Sequence, residues 1–253
     1  EPTREITEEE LQAFYDRMGE VRDCNYILTN RKEDAEAARE LARSGADWSE
    51  VAERYHDGAV PPTGEYEITI PYGRYNMEFD TDVFETEVGD VAPPILSEYG
   101  YWVLRVNDVR DTGRPDLEEA KAQILDIFRN RRMGEMRREF RDETREKWGF
   151  FINEDALWVV YNGLPRSEVL LDPETNQPTA RENLEDLDID PKDLDMVLFG
   201  YDLGEGEDEQ TIGDYKVHFD RMSVFQRPKR SELLGGLRQK IARELDKVVL
   251  NKE

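Results

Sequence analysis

Apolar residues along this chain follow two spacings, one typical of helices and one typical of strands. The helical spacing predicts helices over residues 7–18, 33–44, 47–55 and 80–86. Alternation of apolar and polar residues, with many β-forming side chains, predicts strands over residues 21–29, 66–71 and 101–109. The order strand, two helices, strand, short helix, strand indicates a small α+β sandwich whose sheet is covered by helices on one face.

The second half of the chain begins with a much longer amphipathic helix. Asp116 can cap it, and inward-facing apolar residues continue as far as Trp148, just before Gly149. About 32 residues rising 1.5 Å each span roughly 48 Å, which is more than the small sandwich can cover. The opening helix and a closing helix over residues 231–251 are the candidates within the chain to cover this stripe; otherwise another subunit or a client would do so.

Between the long helix and the closing helix the apolar pattern is weak. Residues 166–195 are acidic and contain prolines, which is typical of a linker, and residues 211–215 predict a turn that leads into a helix. We therefore predict four parts, which are an N-terminal helical arm (1–20), a central α+β domain (21–112), a long helix with a connector (113–165), and an acidic linker with a C-terminal helical part (166–253).

Charge excludes one class of partner. The chain carries 59 acidic and 34 basic residues, a net charge of −25, so a nucleic acid backbone would be repelled. Arginine outnumbers lysine by 25 to 9, and the acidic excess is spread along the chain. Such a surface is typical of a halophilic protein, but a merely acidic mesophilic protein has the same features, and both interpretations stay open at this point.

The sequence offers no metal, thiol or cofactor chemistry. Cys24 is the single cysteine, and the two histidines, His56 and His218, have no further ligands at metal-binding spacing. No Gly-rich phosphate loop is present, so we expect neither a metal nor a cofactor. No segment has the roughly 20 apolar residues of a membrane span. The chain starts at Glu1 and shows no signal peptide, so a removed signal or anchor stays open.

Four segments of the central domain occur in the order and near the spacing of one known family. They are Val21–Leu28, Gly45–Tyr55, Phe84–Ile95 and Tyr99–Leu104. Together they resemble the parvulin-type (PpiC, rotamase) peptidyl-prolyl cis-trans isomerases, and the outer helices resemble the arms of SurA-like and PrsA-like foldases. The resemblance implies an α+β fold in which a parvulin-like antiparallel four-stranded sheet with covering helices is flanked by long amphipathic helices of a chaperone-like part.

The resemblance also assigns a site, and the site departs from the family pattern. Tyr26 stands where the family has its first-strand histidine, and Trp102 stands where it has its last-strand histidine. Asp57 falls on the acidic loop position, so the resemblance implies a catalytic site of Tyr26, Asp57 and Trp102 that is degenerate. It further implies substrate contacts; the residues concerned are Tyr75, Phe79 and Phe84. We expect the strands of Tyr26 and Trp102 to be antiparallel neighbours whose side chains share one groove with Phe79.

Plain structural roles compete with these assignments. Tyr26 and Trp102 also fit aromatic core positions on strands, and Asp57 beside Gly58 also fits a simple turn. Rotation about an X-Pro bond meets a barrier of ~18–20 kcal/mol and needs no metal or covalent intermediate. Loss of both histidines removes much of the polar network that would favour the twisted amide, so we expect binding with weak or lost catalysis.

The function that follows is a folding factor. The resemblance implies extended or unfolded polypeptide clients, including X-Pro segments, and an extracytoplasmic location in a bacterial periplasm or cell envelope. A homo-oligomer or an envelope protein partner is left open. The alternative is a non-catalytic structural or scaffold subunit of a cell-envelope assembly.

Overall fold

Two helix-and-sheet units and one long helix make up the chain. A computed structural model describes residues 6–58, 61, 66–165, 169–171, 178–180, 186–202, 204, 206–223 and 226–250. The helices are α1 (Glu8–Arg17), α2 (Lys32–Arg43), α3 (Trp48–Tyr55), α4 (Met77–Glu85), α5 (Leu117–Lys147), α6 (Glu154–Gly163), α7 (Ile212–Arg221) and α8 (Leu233–Leu250). The strands are β1 (Glu20–Thr29), β2 (Glu67–Pro71), β3 (Ile95–Leu96), β4 (Tyr101–Asp111), β5 (Phe151–Ile152), β6 (Val169–Leu171), β7 (Pro178–Ala180), β8 (Val197–Asp202) and β9 (Glu207–Thr211).

The first unit is built on a four-stranded antiparallel sheet in the order β2-β1-β4-β3. β1 lies at the centre and pairs with β4 along its whole length, with Tyr26 opposite Leu104 and Leu28 opposite Trp102. A bulge between Asp23 and Cys24 shifts the register only at the far end of this pair. The expectation that the strands of Tyr26 and Trp102 are antiparallel neighbours is confirmed.

Helices pack on both faces of this sheet. On one face, α2 and α3 bury their alanines and Trp48 against Ile27 and Val103. On the other, α4 packs Phe79 and Val83 against the residues that alternate with those, among them Leu104. The expectation of helices on one face only is therefore wrong. The reason is that α4 has its own apolar side, which requires a second apolar surface, and the alternation of β1 and β4 provides one.

The N-terminal helix covers part of the long helix. Phe14 of α1 packs with Ala120 and Ile124 of α5 in a small core, and its ring lies 5.5 Å from that of Phe128. Of the two candidates within the chain to cover the stripe on α5, the opening helix is the one that the structure supports. The described side chains of α8 pack in the core of the C-terminal half. Beyond Phe128, α5 leaves apolar side chains at the surface.

The C-terminal half, which we call the C-terminal unit, contains a three-stranded sheet in the order β5-β8-β9 and the helices α6, α7 and α8. Its core joins Leu157 of α6, Leu198 of β8, Phe219 of α7 and Leu237 of α8. The C-terminal part, which the sequence predicts as helical, therefore also contains strands that the sequence did not predict. β6 and β7 also pair with each other, inside the segment expected to be a linker. The domain boundaries stay a prediction, although α6 shares this core with elements beyond residue 165.

A buried ion pair fastens α4 to the long helix. The Asp80 carboxylate of α4 contacts the Arg131 guanidinium of α5 and accepts a hydrogen bond from the backbone N–H of Gly73 at 3.0 Å. Burial raises the pKa of the Asp80 carboxyl, and the charge and hydrogen bond of Arg131 act against that rise. This ion pair thus fixes the position of α4, which carries Phe79 and covers one face of the sheet in the first unit.

Replacing Arg131 by Met should destabilise the protein by about 3 kcal/mol, because it leaves the Asp80 charge buried without its partner. The adjacent variant Arg132→Met is the control, since Arg132 pairs with Glu135 in an exposed i,i+3 pair worth at most ~1 kcal/mol. Urea unfolding of both variants measures the difference. Equal losses in the two variants would contradict a stabilising role for the buried pair.

Candidate functional site

Six ring side chains form a continuous row that starts just before β2, passes the residue after α3, crosses β1 and β4, and ends beside α4. In order, this aromatic row consists of Tyr66, His56, Tyr26, Trp102, Phe79 and Tyr75. Successive ring centroids are 4.8, 5.8, 5.7, 6.2 and 4.2 Å apart. Such distances and the tilted or edge-on geometries are favourable for aromatic pairs.

Strand register places the two central rings. Tyr26 faces Leu104 and Trp102 faces Leu28, so Tyr26 and Trp102 are diagonal neighbours on the same side of the sheet. Both rings remain partly accessible. Phe79 comes to Trp102 from α4, whose start is set by Asn76; the side-chain oxygen of this N-cap accepts from the backbone N–H of Phe79 at 2.8 Å. The expected grouping of Tyr26, Trp102 and Phe79 is therefore confirmed.

His56 is a member of the row that the sequence did not assign to the site. Its Nδ1 accepts a hydrogen bond from the backbone N–H of Leu28 at 3.1 Å. In the neutral imidazole the proton then lies on Nε2. A Cβ at Gly58 would come within 2.8 Å of Nε2, so the loop needs a residue without a side chain at this point. The position of His56 beside Asp57 is the feature of the sequence that could have indicated its place near the site. From the sequence, however, we considered His56 only as a possible metal ligand.

Asp57 lies at the His56 end of the row and is exposed. Its backbone N–H donates to the Leu28 carbonyl at 2.8 Å, and its Oδ2 accepts from the backbone N–H of Asn30 at 2.8 Å. These two bonds fasten the loop after α3 to the end of β1. The carboxylate is thus engaged with the backbone that follows β1.

Of the three residues expected to contact substrate, Tyr75 and Phe79 lie in the row and Phe84 does not. The Phe84 ring is only 2% exposed and packs on Tyr72 with centroids 5.0 Å apart. Its carbonyl accepts a hydrogen bond from Arg22 at 2.7 Å. Phe84 therefore has almost no surface for a client, and it lies in the core between the sheet and the rest of α4. Phe79 is buried as well, at 5% exposed, so the accessible rings at this end of the row are Tyr75 and Trp102.

The row is neutral and apolar, with a few hydrogen-bond donors. Burial raises the pKa of the Tyr26 and Tyr66 hydroxyls, so both stay protonated near neutral pH and can donate. Burial also raises the pKa of the nearby Cys24 thiol to about 12, which leaves it without thiolate character. Across the part of the chain that the structure describes, no cluster of three His, Cys, Asp or Glu side chains could hold a metal ion. The arrangement suits binding of an apolar ring beside a polar amide.

Comparison with known proteins bears on the same region. Residues 6–122 match the family model of the PPIC-type PPIase domain, which covers α1, the four-stranded sheet with its helices, and the start of α5. Residues 6–122 thus form a parvulin-type PPIase domain. This parvulin domain therefore contains the whole aromatic row.

Several relatives extend the similarity past the parvulin domain. The chain is similar to the foldase protein PrsA of Oceanobacillus iheyensis, with 26% identity over 190 residues that cover 71% of this chain and 58% of the relative. PrsA of Halalkalibacterium halodurans is 31% identical over 137 residues, which cover 51% of this chain and 38% of the relative. The chain thus spans well under two thirds of the length of either relative. The chain is therefore similar to PrsA foldases over part of their length.

Solved structures give a looser match. The crystal structure of PrsA from Bacillus cereus is 23% identical, with a TM-score of 0.40, and the match covers 54% of this chain and 53% of that one. The solution structure of the parvulin of Nitrosopumilus maritimus is 24% identical, with a TM-score of 0.30, covering 35% of this chain and 96% of that one. Within the described residues, no helix has the length and apolar character needed to cross a membrane.

Proposed function

We propose that the protein is an extracytoplasmic folding factor whose aromatic row binds extended polypeptide, including X-Pro segments, with weak or no isomerase activity. The row is the observation that carries this proposal, because Tyr26 and Trp102, which by resemblance stand where the family has histidines, are adjacent in it. The location rests on similarity to PrsA foldases, and fractionation of the source cells tests it.

The apolar part of the row supports proline binding. Phe79 and Tyr75 lie with their ring centroids 4.2 Å apart, and Trp102 stands edge-on to Phe79 at 6.2 Å. A proline ring laid against the partly exposed rings of Tyr75 and Trp102 would lose contact with water and gain apolar contact. The groups needed for binding a proline are therefore present.

The polar part of the row is weaker than catalysis requires. A catalyst must favour the twisted amide over the planar one, which calls for donors placed beside the rotating carbonyl. Trp102 has a single indole donor in place of an imidazole, while Tyr26 and His56 supply a hydroxyl and a ring nitrogen at one end of the row. The Asp57 carboxylate accepts from the Asn30 backbone. Tyr26, Asp57 and Trp102 are proposed as the degenerate remainder of a catalytic site.

Exchange spectroscopy on a peptide with one X-Pro bond tests the proposal. We expect the peptide to bind while its cis-trans exchange rate rises little or not at all. Tyr75→Ala should weaken binding because it removes one wall of the row, and Phe151→Ala, an exposed aromatic outside the row, should leave binding unchanged.

Two outcomes would contradict this reading. Strong acceleration of exchange would show that the catalytic site is intact. Absence of binding at peptide concentrations that saturate an active parvulin would show that the aromatic row does not bind X-Pro peptides. It would favour the alternative, a non-catalytic scaffold subunit of a cell-envelope assembly.

The far half of α5 is proposed as a second client surface. Met133 is 43% exposed and Phe140 is 53% exposed, and they lie seven residues apart, which puts them on one face of the helix. Residues 129–147 carry eight basic and five acidic side chains, a net charge of +3 within a chain of net charge −25. An apolar stripe beside basic side chains fits an unfolded segment that is both apolar and acidic.

The double variant Met133→Ser with Phe140→Ser should protect an acidic unfolded test protein from aggregation less well than the parent chain, because it removes the exposed apolar stripe. Light scattering during dilution of the test protein from denaturant measures the protection. The control is Val217→Ser, which removes a similarly exposed apolar side chain from α7. Equal protection by all three proteins would exclude this helix face as a client surface.

A further inference from the structure

The C-terminal unit contacts the parvulin domain at the end of β1, and Asn30 is the centre of that contact. The Asn30 Oδ1 accepts from the backbone N–H of Leu234, at the start of α8, at 2.7 Å. Its Nδ2 donates to the Tyr161 hydroxyl of α6 at 3.0 Å. One side chain thus binds two different helices of the C-terminal unit with both ends of its amide.

The two partners of Asn30 are fixed within the C-terminal unit. Tyr161 is buried in that core, and its hydroxyl in turn donates to the carbonyl of Arg230 at 3.1 Å. Leu234 packs in the same core. The side chain of Asn30 is therefore tied to a rigid part of the neighbouring unit.

The backbone of Asn30 contacts the candidate site and not the C-terminal unit. Its N–H donates to Asp57 Oδ2 at 2.8 Å. The same loop is held by the bond from the Asp57 N–H to the Leu28 carbonyl and by the bond from the Leu28 N–H to His56 Nδ1. Three consecutive hydrogen bonds thus connect Asn30 to the imidazole of the aromatic row.

Close backbone approach locks the contact beside Asn30. The N–H of Gly235 donates to the Tyr99 carbonyl at 3.1 Å, and a Cβ at Gly235 would clash with the carbonyl oxygens of Glu98 and Tyr99. Leu233, two residues before Gly235, is buried. Its φ of 65° and ψ of 170° form a backbone conformation that residues other than glycine rarely adopt. Such a backbone persists only where its surroundings hold it, and here the surroundings include the parvulin domain.

We propose that Asn30 is a positioning residue that couples docking of the C-terminal unit to the His56–Asp57 loop of the aromatic row. Docking of the C-terminal unit fixes the side chain of Asn30. The backbone N–H of Asn30 in turn fixes Asp57, and with it the position of the His56 imidazole. Simple packing between two units would need neither a polar residue at its centre nor a bond from that residue into the site. The importance of the coupling for client binding rests on the proposed function, but the coupling itself does not.

The experiment separates the units in the full chain without altering the site. Gly235→Ala forces α8 away from Glu98 and Tyr99, whereas Gly134→Ala makes the same change on α5, where an added Cβ meets nothing within 4 Å. Hydrogen exchange of the backbone amides of Leu28, Asn30 and Asp57 is measured by NMR, together with the His56 imidazole resonances. We expect Gly235→Ala to speed exchange at these amides and to shift the imidazole, and Gly134→Ala to change neither.

Asn30→Ala is the second variant, since it removes the bonds to Leu234 and Tyr161 but keeps the backbone N–H that Asp57 accepts from. It should reproduce the changes seen in Gly235→Ala, and this readout would not move if Asn30 served only packing. Unchanged amides and imidazole in Asn30→Ala would overturn the proposal, whatever Gly235→Ala does. Because no client is added, this outcome is distinct from a failure of proline binding.

Discussion

The antiparallel pairing of β1 with β4 is the constraint on which the rest of the structure depends. Its register places Tyr26 and Trp102 on one side of the sheet and Ile27 and Val103 on the other. A slip of one residue along either strand would exchange the two faces of that strand and break both cores at once. The same strand ends at Thr29, next to Asn30, so the pairing also fixes the point where the C-terminal unit docks.

In our proposal, the aromatic row is a binding surface that has outlasted the chemistry that the family is named for. Binding a proline needs surfaces that exclude water, and rings satisfy that requirement without a defined protonation state. Acceleration of bond rotation needs donors aimed at one carbonyl, which is a stricter geometric requirement. In our proposal, Tyr26 and Trp102, which by resemblance stand at two histidine positions, keep the first property and weaken the second.

Much of the parvulin domain could be predicted from the sequence, and less of the remainder. The strands of Tyr26 and Trp102 were predicted because alternating patterns in central strands are strong and the family motifs carry their order. β9 was missed because the segment Glu207–Thr211 has no apolar residue, and its pairing with β8 is what makes it a strand. Tertiary context therefore decided the case of β9.

Individual site residues were harder to assign than elements. Phe84 was expected in the groove, but its ring packs against Tyr72 in the core. Phe79 and Phe84 are five residues apart on α4, and side chains at that spacing point in different directions from a helix. His56 was overlooked because nothing in its local sequence shows that Leu28 would orient its ring. Such contacts join residues far apart in sequence, which periodicity along the chain does not report.

The most direct test of the central claim is where a bound proline lies. Intermolecular nuclear Overhauser effects can be measured between the ring protons of a peptide proline and the aromatic protons of the chain. The account predicts contacts to Phe79, Tyr75 and Trp102. Contacts confined to α5 or to the C-terminal unit, with none to these three rings, would contradict it.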